Sequence, residues 1–197
     1  MIDFTAIERD EQTLLELGRR LRVGDLRQAT IASIDHLKAI IEQADDAMIT
    51  FVPHDPEAND PFAAPDEQHI GWTLGHLVAH VTATSEESAA IASILARGIP
   101  YPREPRLRYE TPWRDITTQA QALQRLDESL RMRLGYLDAF PDMPHLDVYR
   151  ELSDNARAKF GDLNATANYL LGLKHEAGHY AQFADVLAQA QAAVVSV

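Results

Sequence analysis

Apolar positions along this chain recur at steps of three and four, the spacing of one helical face, and strand patterns are hard to find. Residues about 5–21 carry Ile7, Leu14, Leu17 and Leu21, and predict a short amphipathic helix. Gly24-Asp25 interrupts it, with Asp25 as a candidate N-cap. Leu26, Thr30, Ile34, Leu37, Ile41, Ala44 and Met48 then mark the first long helix. Between Val52 and His69 the pattern lapses. Four prolines among Asp, Asn and Glu predict a surface loop, longer than most connections. A second long helix starts near Trp72-Thr73 and runs to about Arg97, with Leu74, Leu77, Val78, Val81, Ile91 and Leu95 as its buried stripe. Gly98 ends it, and Pro100, Pro102 and Pro105 follow. Pro112, after Thr111, suits the first turn of a third helix whose Leu123, Leu126, Leu130, Leu134 and Leu137 lie close to a heptad seam. Pro141 and Pro144 close it, and a weaker helical piece covers 145–159. Asp162 or Asn164 caps the last helix, which runs to roughly Ala192.

These elements predict an all-α fold in a single domain, 1–197. It is a four-helix bundle with its core at about 25–192, an extra N-terminal helix, and a long loop between the first two bundle helices. In such bundles, metal and cofactor sites are built from side chains on facing helices.

Composition narrows the chemistry. With 197 residues, 46% of them hydrophobic, the chain can bury a sizeable core. It has no cysteine, hence no disulfide, thiolate nucleophile or Cys-ligated zinc. A metal would be held by His and carboxylates, which suit Zn, Ni, Fe or Mn. The formal charge is −12 and the 18 Lys and Arg are scattered, so neither nucleic acid nor a membrane surface is an expected partner. Met1-Ile2-Asp3-Phe4 has no signal-peptide character and no apolar run reaches membrane-span length, so a cytoplasmic location is expected.

Eight histidines remain to be explained. His76/His80 and His175/His179 form i, i+4 pairs on predicted helices, where chance gives roughly 0.3 such pairs. Residues four apart stack on one helical face, and two imidazoles so placed can share one ion. His175 and His179 sit among Leu170, Leu171, Leu173, Ala177, Phe183, Val186 and Leu187, where unpartnered rings are costly. A core histidine with an ordinary hydrogen bond is the competing reading for His80, and a helix edge for Trp72, His76 and His80 together. His36, His54, His69 and His145 read as surface residues, His69 being the strongest exception because it precedes the second long helix.

His175-Glu176-Ala177-Gly178-His179 also matches H-E-x-x-H, in which the Glu is the general base of a zinc hydrolase. The context opposes it. No His or Glu follows His179, and Asp185, six residues on, would face away along a continuing helix.

Trp72-Thr73-Leu74-Gly75-His76-Leu77-Val78-Ala79-His80 resembles the W-[ST]-x-x-x-[hydrophobic]-x-x-H helix start of the DinB-like superfamily, and His175-x-x-x-His179-x-x-Gln182 resembles its last-helix H-x-x-x-H-x-x-Q signature. The resemblance spans roughly 25–192. It implies a four-helix bundle with His80, His175 and His179 as ligands of one divalent ion, Zn or Ni ahead of Fe or Mn, and Gln182 as a supporting group. Relatives include transferases and isomerases that use a low-molecular-weight thiol such as bacillithiol or mycothiol. The implied function is a metal-dependent S-transferase or isomerase acting on a small-molecule substrate. Neither His76 nor Glu176 is accounted for by the signature. Glu87, seven residues past His80 on the same face, is the candidate acid/base residue; a solvated carboxylate is the plainer alternative. Arg103, Arg106 and Arg108 could bind a carboxylate substrate. The competing classes are a non-catalytic metal-binding module and an interaction protein, a homodimer through the Leu123–Leu137 helix.

Overall fold

The structure, a computed structural model, describes residues 1–60 and 65–195. Among them there is no strand; one isolated bridge joins Tyr101 to Arg150. The predicted N-terminal helix is two short ones, α1 (Thr5–Glu8) and α2 (Leu14–Gly18). Thr13 starts α2 afresh by exchanging capping bonds with Glu16, a local signal that hydrophobic spacing does not register. The first bundle helix, α3 (Val23–Ile41), opens earlier than predicted. Asp25 is therefore inside it, and its carboxylate accepts the Arg22 N–H at 2.8 Å. It also ends earlier. Ala44 and Met48 belong to a turn and to α4 (Asp46–Ile49), which Asp45 caps.

The loop 52–69 is irregular where described; its residues 61–64 lie outside the described ones. The His54 N–H donates to Gln189 Oε1 at 2.9 Å, and Glu67 pairs with Arg114. The second bundle helix, α5 (Leu74–Ala96), is capped by Thr73, whose hydroxyl accepts the His76 N–H at 3.1 Å. Pro112 leads only into one 3-10 turn, Trp113–Asp115. The third bundle helix, α6 (Gln119–Asp138), begins at Thr118, which shares a capping box with Gln121. The weak 145–159 segment shrinks to α7 (Asp154–Phe160).

The last bundle helix breaks once. Asn164 caps α8 (Ala165–Gly178), and α9 (Tyr180–Val195) follows. At the joint the His179 N–H bonds Glu176 O, three residues back, at 3.1 Å. The predicted continuous helix is thus divided at one of its candidate ligands.

Cross-contacts fix the directions. His80 meets His175, Ser85 meets Gly172 and Ser88 meets Asn168, so α5 and α8 are antiparallel. Arg27–Asp138 and Lys38–Asp127 make α3 and α6 antiparallel; Thr30–Tyr169 and Ser33–Glu176 make α3 and α8 parallel. Consequently α5 and α6 run the same way, and the chain from 97 to 118 must return along the bundle to join them. That return strap crosses the histidine helix: Arg106 meets Glu87, Arg108 meets Thr84, and Trp113 meets His76. Gly172 allows the tight α5–α8 packing, since a Cβ there would lie 2.8 Å from Ser88 Cβ and 3.0 Å from Ser85 Cα.

Besides a small cluster around Ile91, Leu95 and Tyr101, the core divides into an upper cluster around Ile41, Leu74, Leu77, Leu126 and Phe183 and a lower one around Leu26, Leu137, Leu163, Tyr169 and Leu170. Between them each bundle helix contributes buried polar residues: Thr30 and Ser33 from α3, Ser85 from α5, Ser129 and Arg133 from α6, and Glu176 from α8. The leucine stripe of α6 packs into these clusters, Leu126 and Leu137 fully and Leu123, Leu130 and Leu134 in part. No helix among the described residues is long and apolar enough to cross a membrane.

Candidate metal centre

His80 projects from α5, His175 from the end of α8, and His179 from the joint that follows. Each offers one ring nitrogen, and these atoms all lie within 4.8 Å of one another. His80 Nε2 and His175 Nε2 are 3.1 Å apart. Two nitrogens each 2.0–2.1 Å from one ion at a tetrahedral angle stand roughly 3.3 Å apart, so the spacing fits shared coordination. Ring centroids 4.8–5.2 Å apart place the three imidazoles around a common point.

Two features favour the ligand form of the rings. Burial, reinforced by the neighbouring His175, His179 and Arg108, pulls His80 down to about 2, and burial with His179 and Arg108 pulls His175 down to about 3. Both rings are neutral near pH 7, as ligation requires. His179 Nδ1 lies 2.8 Å from Gln182 Oε1. With that nitrogen donating to the amide oxygen, Nε2 is left for an ion. Near His80 Nδ1 stand the Arg108 guanidinium, which can only donate, at 3.3 Å and, beyond hydrogen-bond reach at 3.9 Å, the Glu110 carboxylate, which pairs with Arg108. His175 Nδ1 is buried with no hydrogen-bond partner. A site of three imidazoles, one of them backed by an amide, fits a borderline divalent ion.

Trp72 packs against His76 and His80 at 4.5 Å and against His179 at 6.0 Å, walling one side of the cluster. His76 lies stacked between Trp72 and Trp113, and burial lowers it to about 4. It is a neutral wall, not a fourth converging ligand. His69 Nδ1 is 2.9 Å from Ala58 O, and His36 packs on Tyr180. Neither joins the cluster, and nor do His54 and His145.

The sequence model of the DinB superfamily matches residues 6–183. The chain belongs to the DinB superfamily. No curated protein and no solved structure matches it. The match agrees with the resemblance carried by the Trp72–His80 and His175–Gln182 segments.

In this DinB-superfamily chain Glu176 has no access to the three ring nitrogens. It is fully buried, its Oε2 accepting from Arg133 Nη1 at 2.7 Å and from Ser85 Oγ at 3.0 Å, while Ser33 Oγ bonds its Oε1. A base with every near partner already a donor cannot take a proton from a hydrolytic water, so the H-E-x-x-H spacing here is a coincidence of a ligand pair and a core ion pair. Tyr180 also bonds Ser33, and burial pushes its phenol up to about 12.

Glu87 lies outside the histidine cluster, in the wall of an adjoining cavity that also reaches His175. It is 4% exposed and held by Arg106 through Nε at 3.1 Å and by the Arg108 N–H at 3.2 Å. Those bonds anchor the return strap. Arg103 stays on the surface, but Arg106 and Arg108 approach the centre.

Arg108 and Glu110 owe their place to the strap's path, which no sequence pattern records. Arg133 had a signal: it lies seven residues from Leu126 on a buried face, where a charge needs a partner.

Proposed function

We propose that His80, His175 and His179 hold one divalent ion, Zn, Ni, Fe or Mn, and that the protein is a metal-dependent enzyme transferring or isomerising through a low-molecular-weight thiol. The observation that carries this reading is the convergence of three ring nitrogens within 4.8 Å, beside a cavity of about 460 Å³ that reaches His175. Such an ion supplies Lewis acidity and lowers the pKa of a thiol or water that reaches it. The chain's own residues do the rest. Gln182 orients His179, the Arg108–Glu110 pair stands beside His80, Trp72 walls one side of the cluster, and Glu87 fixes Arg106 rather than exchanging protons. With no cysteine in the chain, a small thiol would bring the sulfur nucleophile.

The test is elemental analysis of the native protein and His175→Ala after dialysis without chelator, followed by turnover assays with bacillithiol, mycothiol and glutathione. About one equivalent of metal in the native protein, lost in the variant, is expected from a three-ligand site. Metal-dependent consumption of one thiol supports the enzyme; stoichiometric metal with no turnover of any thiol overturns it.

A further inference from the structure

The cavity beside His175 is unlike the rest of the surface. The chain carries 30 acidic residues against 18 Lys and Arg, yet the cavity wall holds Arg106, Arg150, Lys159 and Lys174 and a single carboxylate, Glu87. Glu87 is already bonded to Arg106. Arg150, Lys159 and Lys174 make no ion pair among the described residues. Glu87 acts on Arg150 as well, and Glu104, outside the wall, acts on both Arg106 and Arg150, but neither carboxylate forms an ion pair with Arg150.

Arg150 is the most informative. Its Nε is buried with no hydrogen-bond partner, and burial disfavours its charged form. A cation left so is expensive unless something anionic completes it. The guanidinium is nevertheless held in place. Nη1 donates to Asn168 Oδ1 at 3.3 Å, Asn168 is fully buried and donates to Ser88 O at 2.7 Å, and the Arg150 N–H bonds Leu163 O at 2.9 Å. A fixed, under-bonded guanidinium is a preformed recognition group. Leu152, Phe160 and Leu171 supply apolar wall around it, and the volume of about 460 Å³ lies within the usual range for small-molecule sites.

We propose that this cavity binds an organic carboxylate, its charged end on Arg150, Lys159 and Lys174 and its hydrocarbon body against Leu152, Phe160 and Leu171, with the other end directed to His175. This names the substrate class for the proposed metal centre and rests on that reading only for the reaction, not for the binding. Arg150 and the apolar wall favour a carboxylate on a carbon chain over inorganic phosphate, because a planar fork pairs with a carboxylate and phosphate gains nothing from the wall.

The experiment is calorimetric titration of the full chain, metal-loaded and chelator-treated, with succinate, glutarate and inorganic phosphate. Dicarboxylate binding is expected in both forms, falling at least tenfold in Arg150→Gln and weakening with salt. Lys159→Gln/Lys174→Gln, at more exposed positions, is expected to weaken it severalfold and covers the case in which Arg150→Gln fails to fold. Phosphate binding as tight as glutarate overturns the carboxylate assignment. No binding by either form, or binding indifferent to both variants, overturns the site while leaving the metal content to stand by itself. Dicarboxylate binding by a protein that takes up no metal upholds the cavity and removes the metal reading.

Discussion

Residues 175 and 176 are neighbours on one helix and belong to opposite kinds of polar cluster. On one side His175 joins His80 and His179, half-buried rings whose convergent nitrogens have little but one another to bond. On the other, Glu176 joins Arg133, Ser33 and Ser85, fully buried, with both oxygens engaged. In the second cluster the carboxylate is fully engaged and shut away from solvent, although Arg133 Nη2 has no partner, and what it does is hold the bundle together. In the first the ring nitrogens converge on a point beside a cavity, the arrangement of a binding site. A five-residue motif cannot tell the two apart; the partners across the bundle do.

The largest effect should come from breaking the buried ion pair. Glu176→Gln leaves Arg133, 1% exposed, without a counter-charge and should cost about 3–5 kcal/mol in chemical denaturation, whereas Glu176→Leu/Arg133→Met together should cost far less. Metal content per folded molecule should stay at the native level in both. Loss of metal with preserved stability would reverse the two roles. Next comes Gln182→Ala, which frees His179 Nδ1 and should weaken metal affinity about 10–100-fold, read by competition with a chelator, with little change in unfolding. If unfolding changes instead, the amide is packing and not orientation.

The smallest effect is a slope. His76 titrates near 4 in the fold against an ordinary value of 6.5, so folding favours its neutral ring. The folded state is therefore unaffected by this group above about pH 6.5 and loses stability as the pH falls from 6.5 towards 4. In chelator, His80 and His175 act in the same direction. His76→Gln should flatten, without abolishing, the decline of Tm over that window; an unchanged slope would mean that Trp72 and Trp113 do not shield the ring.

The bundle was legible because its helices bury one face, and Leu74, Leu77 and Val81 or Leu126 and Leu137 announce that face by spacing. Spacing marked His76/His80 and His175/His179, but the choice of His80 with His175 and His179 came from the likeness to the DinB-like signatures. Helix ends were less legible. Thr13, Asp45 and Thr118 cap helices through hydrogen bonds that compete with hydrophobic spacing, and the spacing misplaced those starts and stops. Least visible were Glu110 and Arg150; Arg108 stood out, but as a carboxylate binder and not as a neighbour of His80. They reach the centre through the strap and a loop, whose course is set by α5 and α6 running the same way and not by any pattern of their own.

The triad joins rings 95 residues apart in sequence. Closing a loop of that length is an entropic cost met before any contact made by its ends can reward it. The apolar clusters and the bonds of Ser85 and Ser88 to α8 must therefore bring α5 and α8 together before an ion can find three ligands. Metal would enter a finished scaffold rather than organise a forming one. Chains made while the ion is scarce would accumulate folded, ready to be charged later, and supply of the ion rather than synthesis of the protein would set how many are competent.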